Sequence, residues 1–175
     1  EGGWVTAVAI DGVAVVVHPS KPVKALGVLQ LRDVFRGRIA DWQDVSGPAA
    51  EISVASLESG SGTRNKFEAE VMEGRHVTVN AVVLPSDQSM VDYVRTVTAS
   101  IGYLSSGYLT EAVKAISVEG VPLTVETLVN RRYPFHRALI FVTPEEPQGD
   151  LRAFVAWALG AQGQSIVGQK YGRVK

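Results

Sequence analysis

The residues best suited to chemistry lie together in Ser59-Gly60-Ser61-Gly62-Thr63, a run of small hydroxyl residues and glycines. An apolar, strand-like segment, residues 52–57, precedes this run, and residues 64–72 after it have the pattern of a helix. The first N–H groups of a helix have no partners within it, and the macrodipole places partial positive charge there. Such a junction can hold an oxyanion, with Ser61 and Thr63 adding hydroxyl donors.

A second interpretation of the same run needs no ligand. Ser, Thr and Gly are also the ordinary residues of a helix N-cap and of a tight turn. From local sequence alone, Gly60 and Gly62 either let an anion approach the backbone closely or simply permit the turn. Both interpretations are open at this level of the argument.

Asp11 is the other candidate, because its carboxylate interrupts an apolar segment, residues 4–17. This segment is rich in Val, Ile and Ala, which predicts extended structure with a kink or turn at Asp11 and Gly12. Residues 13–17 are apolar throughout, as is typical of a strand covered on both faces. Asp11 either accepts hydrogen bonds from a ligand or caps the turn.

The signatures of enzymes and nucleotide-binding proteins are incomplete. Ser61 has glycine directly on both sides, whereas a nucleophile elbow requires glycine two positions away on each side. No Gly-Lys pair exists for a P-loop, and Asn65 stands where a dinucleotide fingerprint requires its third glycine. His18, His76 and His136 are far apart and cysteine is absent, so metal-ligand spacing is not found. We expect no enzyme activity, no metal and no cofactor.

Composition and charge narrow the range of partners. Of the 175 residues, 46% are hydrophobic and 20% are charged, as in a folded soluble protein. The chain has 17 basic and 18 acidic residues, a formal net charge of −1, and no long run of like charge. Nucleic acids and anionic membranes require clustered positive charge, so neither is an expected partner. An anion would have to be held by local dipoles and hydroxyls.

The elements that must position these candidates alternate between strand and helix patterns, which predicts an α/β sheet with helices on its faces. Apolar residues have helical spacing from residue 27 to near Gly37 and again after Pro85. Residues 77–84 and 101–104 have the pattern of strands.

The last third of the chain predicts strands at residues 112–118 and 138–142 and a short helical or extended piece at residues 125–129. Residues 151–159 predict a helix, and a smaller helix follows at residues 163–170. The longer helix is expected to turn four apolar side chains inward: Leu151, Phe154, Val155 and Ala158.

Five stretches, in order and across nearly the whole chain, resemble the phosphate-type solute-binding proteins of ABC importers, the PstS-like group of two-lobed periplasmic binding proteins. They are AIDGVAVVVHPS (9–20), LQLRDVFRGRIADW (29–42), SGSGTR (59–64), IGYLSSGY (101–108) and YPF (133–135). Within them, Ser61, Gly62 and Thr63 match the phosphate-contacting Ser-Gly-Thr of the family. The resemblance therefore favours a ligand loop over a simple cap, with Gly60, Arg64 and Asp11 as further candidate ligand residues.

The resemblance implies a periplasmic-binding-protein-like α/β fold of type II. We expect one complete lobe, a mixed sheet flanked by helices, together with the C-terminal part of the other lobe. Residues 1–12 would form a hinge strand, residues 13–104 the ligand-binding lobe, and residues 105–175 the returning segment. Such a protein would bind an inorganic oxyanion, most often phosphate, and deliver it to an ABC permease from the periplasm or the cell exterior.

Two departures from the family pattern matter. The family usually has an arginine four residues before the loop serine, where this chain has Leu57, so that Arg64 is the only cation near the loop in sequence. The amino-terminal segment of the family has no counterpart in the 175 residues. Either another chain completes the fold, with a homodimer as the expected form, or the chain is a fragment, or it is an interaction or sensor domain that has lost phosphate binding.

Overall fold

Strands and helices alternate along residues 2–175, the part of the chain that the computed structural model describes. Glu1, the first residue of the predicted hinge strand, lies outside it. The strands are β1 Trp4–Val17, β2 Ala25–Leu26, β3 Ser53–Leu57, β4 Val82–Leu84, β5 Ser100–Ser105, β6 Lys114–Ala115, β7 Ser117–Val118 and β8 His136–Thr143. The helices are α1 Val28–Phe35, α2 Gly62–Phe67, α3 Asp87–Thr96, α4 Val125–Val129, α5 Gly149–Leu159 and α6 Ala161–Val167.

β1 is the long strand that joins the two parts of the sheet. Its carboxyl-terminal residues pair antiparallel with β5, from Val13 opposite Ser105 to Val17 opposite Ile101. Its earlier residues pair antiparallel with β8, from Trp4 to Gly12, with one irregularity between Ala7 and Ala9. The chain therefore uses a single strand to connect the β5 side of the sheet with the β8 side.

The predicted kink or turn at Asp11 and Gly12 is wrong, because the strand continues through both residues. Asp11 lies opposite Arg137 and Gly12 lies opposite His136 in the β1 and β8 register. A carboxylate is tolerated inside this apolar strand because Arg137 and other donors surround it, as described below.

The larger sheet is mixed and has the strand order β4-β3-β5-β1-β6, with β8 also paired to β1. β3 is parallel to both β4 and β5, whereas β1 is antiparallel to β5, β6 and β8. Among the helices, α2 and α3 contact β5, β3 and β1. The predicted mixed sheet with flanking helices is confirmed.

The segment after residue 104 first returns to the sheet built by residues 13–104. β6 pairs with Val16 and Val17 of β1, and β7 pairs in parallel with β2. The predicted strand at residues 112–118 is split into β6, which pairs with β1, and β7, which pairs with β2, and Ile116 N between them donates to Val15 O. The early part of the predicted returning segment therefore lies beside the carboxyl-terminal half of β1. Later in the chain, β8 pairs with the amino-terminal half of β1.

An aromatic cluster fixes the helices on the sheet near the carboxyl end of β3. The rings of Phe67 and Tyr103 stack at a centroid distance of 4.0 Å, and Phe35 contacts Phe67 edge-on at 4.6 Å. All three side chains are fully buried. The Tyr103 hydroxyl makes a 2.7 Å hydrogen bond with Ser56 Oγ, which ties β5 to β3. These contacts hold the start of α2 at a defined place on the sheet.

The expected inner face of α5 is only partly correct. Val155 and Ala158 are buried, whereas Leu151 and Phe154 are 46% and 50% exposed. Phe154 stacks on Phe141 of β8 at 5.6 Å and on Trp157 of α5 at 6.1 Å, and Phe154 and Trp157 remain 50% and 46% exposed. The helix pattern therefore predicted an apolar face correctly, but not that the face would be left half open.

None of the helices within residues 2–175 has the length and apolar character needed to cross a membrane.

Candidate functional site

The Ser/Gly run lies at the junction between β3 and α2, as predicted. Gly60 has φ +95°, a conformation that favours glycine, so the turn requires it. Ser61 is the N-cap of α2, and its Oγ accepts a hydrogen bond from Arg64 N at 3.2 Å. Gly62 and Thr63 are the first residues of the helix, and their N–H groups have no acceptor within it. The cap is therefore real, and it leaves two backbone donors at the junction.

The Arg64 side chain is held by two hydrogen bonds, one to α2's next turn and one to the end of β3. Its Nε donates to Glu68 Oε1 at 2.9 Å, and its Nη1 donates to Leu57 O at 2.9 Å. The guanidinium thus joins the end of β3 to the next turn of the helix. These two contacts hold Arg64 against the helix and the strand.

Arg137 of β8 is the cation that the structure places at the loop, and no pattern in the sequence predicted it. Its Nη2 donates to Thr63 Oγ1 at 3.1 Å. A Cβ built on Gly62 would lie 3.3 Å from Arg137 Nη1, so the end of the guanidinium lies directly against the start of α2. The side chain is 22% exposed, which leaves it accessible at one edge.

Asp11 holds Arg137 in this position. Its Oδ2 accepts from Arg137 Nε at 3.0 Å and from Arg137 Nη2 at 2.8 Å. Its Oδ1 accepts from Ser105 Oγ at 2.9 Å, Ser106 Oγ at 2.9 Å and Ser106 N at 3.1 Å. The carboxylate is fully buried, and both of its oxygens are bound by protein donors. Asp11 therefore anchors an arginine, which neither of its two expected roles included.

The signal for Arg137 in the sequence was Asp11 itself. A buried carboxylate needs a cation or several hydrogen-bond donors, so a partner in another element had to exist. The register between β1 and β8 decides which residue is the partner, and it pairs Asp11 with Arg137, 126 residues away in sequence. Ser105 and Ser106 were part of a matched motif, but nothing in their spacing pointed to Asp11.

Several hydrogen-bond donors converge at this junction. The donors that meet here are the N–H groups of Gly62 and Thr63, the Thr63 hydroxyl and the Arg137 guanidinium. Thr63 is buried, and its oxygen already accepts from Arg137, so its own hydrogen is available to a further acceptor. Burial raises the pKa of the nearby Tyr171 hydroxyl; a hydrogen bond with Ser105 opposes the shift and the Asp11 charge adds to it.

The structure thus brings together Thr63, Gly62, Asp11 and Arg137, with Ser61 capping the same helix. Gly60 shapes the turn, and Arg64 braces it from the other side. Within residues 2–175 no group of His, Asp and Glu side chains could hold a metal ion. The arrangement offers hydrogen-bond donors for an oxyanion.

Comparison with known proteins places these observations in a family context. The profile of the PBP superfamily domain matches residues 2–162. The phosphate-binding protein PstS of Bacillus subtilis is 27% identical over 149 residues, which are 85% of this chain and 49% of that protein. PstS 2 of Streptococcus pneumoniae TIGR4 is 31% identical over 137 residues, 73% of this chain and 46% of that protein. The chain thus spans about half the length of these curated relatives.

Solved structures show the same likeness. A Clostridium perfringens structure with bound phosphate, assigned as a phosphate ABC transporter substrate-binding protein, has a TM-score of 0.90 and 33% identity. The match covers 98% of this chain and 72% of that one. An ABC-type phosphate transport receptor from Vibrio cholerae has a TM-score of 0.82 and 26% identity, with 97% and 72% coverage.

Proposed function

This chain belongs to the PBP superfamily as a PstS-like member, and on that premise we propose that it binds an inorganic oxyanion, most favourably phosphate. The anion would be received at the start of α2 as the solute-binding step of an ABC importer. The proposal rests on one observation: Arg137 lies against Gly62 and Thr63 at the start of α2, with its Nη2 3.1 Å from Thr63 Oγ1.

Arg137 supplies the positive charge that the residue at position 57 cannot provide. Leu57 is fully buried in the core, so its side chain packs inside the lobe. Arg137 reaches the same loop from β8; its Nε and Nη2 donate to Asp11 and Thr63, so Nη1 is the group that can donate to an oxyanion. One edge of the guanidinium is taken by Asp11, and Nη1 lies on the side that faces Gly62.

The remaining contacts come from the loop predicted in the sequence. The N–H groups of Gly62 and Thr63 point out of the helix start, where the macrodipole favours negative charge. The Thr63 hydroxyl donates to the anion because its oxygen already accepts from Arg137. Ser61 caps the helix through its oxygen and has its hydroxyl hydrogen left to donate.

Binding and delivery, without chemical conversion of the anion, complete the proposal. The relatives named above are phosphate-binding and substrate-binding proteins, and no nucleophile with its base can be assigned within residues 2–175. The anion would be handed to a membrane permease, and the protein would act outside the cytoplasmic membrane, in the periplasm or at the cell exterior.

Calorimetric titration of the protein with phosphate, sulfate and molybdate tests this function. We expect saturable heat with phosphate, and an affinity at least about tenfold lower in Arg137→Gln, because a hydrogen bond to a charged group contributes about 1.5–3 kcal/mol. Arg95→Gln is the matched control, since Arg95 pairs with Asp92 on the exposed side of α3. Absence of heat with every oxyanion on the folded protein would contradict the proposal.

We also propose that two copies of the chain associate through the β1 and β8 ribbon. Val5 lies opposite Val142, and Ala7 lies opposite Ile140, so these residues share one face. Val5, Ile140 and Val142 are 56%, 47% and 64% exposed. Within residues 2–175 no strand pairs with the other edge of β8. An open edge beside an apolar face favours pairing with a second copy across a two-fold axis.

A further inference from the structure

The C-terminal tail, residues 170–174, crosses the sheet beside Asp11. Ile10 N donates to Gly172 O and Gly172 N donates to Ile10 O, both at 2.8 Å. Val174 N donates to Gln164 Oε1 at 2.9 Å, and Gln164 Nε2 donates to Val8 O at 3.0 Å. The tail is therefore fastened along β1 immediately before Asp11.

The same tail also contacts the segment that follows β5. Lys170 Nζ donates to Gly107 O at 3.1 Å, and Ser106 Oγ lies 3.4 Å from Lys170 O. A side chain at Gly107 would collide with the Tyr171 hydroxyl, so the tail lies directly on this backbone. Because the single hydroxyl hydrogen of Ser106 goes to Asp11 Oδ1, the tail holds this segment through Gly107, the residue after Ser106, and through the hydrogen bond between Tyr171 and Ser105.

Gly172 is required for this close crossing. A Cβ at this position would lie 3.0 Å from the Cβ atoms of both Ile10 and Leu128. Such contacts are tighter than ordinary van der Waals packing, so a larger residue would lift the tail away from β1. The fit indicates a seated segment of the fold.

Asp11 is consequently fixed from two sides. The tail pairs with Ile10, the residue before it, and the Ser105 and Ser106 donors hold its Oδ1. With Oδ1 held in place, Oδ2 presents a fixed acceptor to Arg137 Nε and Nη2. The direction of the guanidinium toward Thr63 therefore depends on contacts that lie away from the loop.

We propose that residues 170–172 act as a brace that aims Arg137 at the α2 junction through Ser106 and Asp11, and that the brace sets anion affinity without touching the anion. Ser106 and Gly172 are positioning residues in this scheme. The statement about affinity rests on the proposed phosphate binding, whereas the statement about Arg137 concerns the free protein alone.

The positioning of Arg137 is tested in the ligand-free protein by measuring hydrogen exchange of the Arg137 Nε–H group with ¹⁵N NMR. We expect a slowly exchanging signal in the wild type, and exchange at least about tenfold faster in Ser106→Ala and in Gly172→Val. Ser165→Ala, at an exposed serine of α6, is the matched control and should leave the rate unchanged. Equal exchange rates in the wild type and in both folded variants would overturn the brace.

The link to affinity is tested by a double-mutant cycle with phosphate titration. Ser106→Ala and Lys170→Met should each weaken phosphate binding about three- to tenfold, and the Ser106→Ala effect should vanish in an Arg137→Lys background. Lys175→Met removes the same charge from an exposed residue next to the tail and should have no comparable effect. Purely additive losses would show that Ser106 acts only through general stability, and would overturn the positioning role.

The two experiments separate failure of the proposed phosphate binding from failure of the proposed brace. Phosphate that fails to bind to the wild type, with slow Nε–H exchange that speeds up in Ser106→Ala, rejects the proposed function and supports the brace at Arg137. Phosphate that binds equally well to the wild type, Ser106→Ala and Gly172→Val supports the function and rejects the brace.

Discussion

Thr63 Oγ1 accepts from Arg137 Nη2, and this one contact joins the loop to the distant strand β8. The loop itself was predictable, because small hydroxyl residues and glycines before a helix follow from local backbone chemistry. Arg137 was not predictable from local pattern, because its place at the loop results from the long-range pairing of β1 with β8. The turn at the start of α2 was thus predictable from the sequence, whereas the arginine beside it was not.

A pair of substitutions at position 63 separates hydroxyl from shape. Thr63→Val keeps the branched side chain but removes the hydroxyl, so phosphate affinity should fall about tenfold, which corresponds to about 1.4 kcal/mol. Thr63→Ser keeps the hydroxyl and should stay within about threefold of the wild type. Calorimetric titration gives the affinities, and circular dichroism checks the fold. Equal affinity in Thr63→Val would return the loop to the role of a helix cap.

Among the secondary-structure elements, β1 differs most from its prediction, because it is one continuous strand through Asp11. The apolar run at residues 13–17 predicted a buried strand correctly, and its residues are fully buried. The Asp11-Gly12 pair suggested a kink or turn, because Asp-Gly is a common turn dipeptide. Arg137, Ser105 and Ser106 donate hydrogen bonds to the Asp11 carboxylate, so the strand continues.

Tyr133, in the bend before β8, is hydrogen-bonded to β1, and its burial predicts that the protein loses stability at alkaline pH. Tyr133 Oη donates to Val13 O at 3.0 Å, and burial raises the pKa of Tyr133 above its ordinary value near 10. A raised pKa in the folded state means that stability is fully present below about pH 10 and is lost as pH rises above it.

Tyr133→Phe tests this sensitivity by denaturant unfolding at several pH values between 8 and 12. The variant should be about 1 kcal/mol less stable at pH 8, because the hydrogen bond to Val13 O is lost. Above pH 10 its stability should fall less steeply, by up to about 1.4 kcal/mol per pH unit, since one titrating group is gone. Burial also raises the pKa of Tyr103, so some slope remains. Identical slopes in both proteins would contradict the assignment.

At the scale of the whole molecule, the resemblance predicted the family and the partial fold correctly. The similarity to the Clostridium perfringens structure, at a TM-score of 0.90 with 72% of that chain covered, confirms both. Which faces would be left open was beyond the sequence pattern, because an inward-facing stripe looks the same whether or not a neighbour covers it. Phe154 of α5 and Val142 of β8 illustrate this limit.

The proposed association of two copies predicts a dimer in solution. Light scattering at micromolar concentration should give twice the 18.7 kDa of one chain. Val142→Lys should shift the protein to monomers, because a charge would be buried in the apolar face. Val79→Lys makes the same change at a residue that is 99% exposed elsewhere, and it should leave the dimer intact. A monodisperse wild-type monomer would count against the association.

An NMR titration tests whether phosphate binds at the α2 junction with Arg137 as its cation. Added phosphate should shift the amide signals of Gly62 and Thr63 and the side-chain signals of Arg137, all with one dissociation constant. Signals of Gly37 and Ile39, which follow α1 and line a cavity with Ser53 at the opposite end of β3, should stay in place. Saturating phosphate that leaves the Gly62, Thr63 and Arg137 signals unmoved would contradict the account.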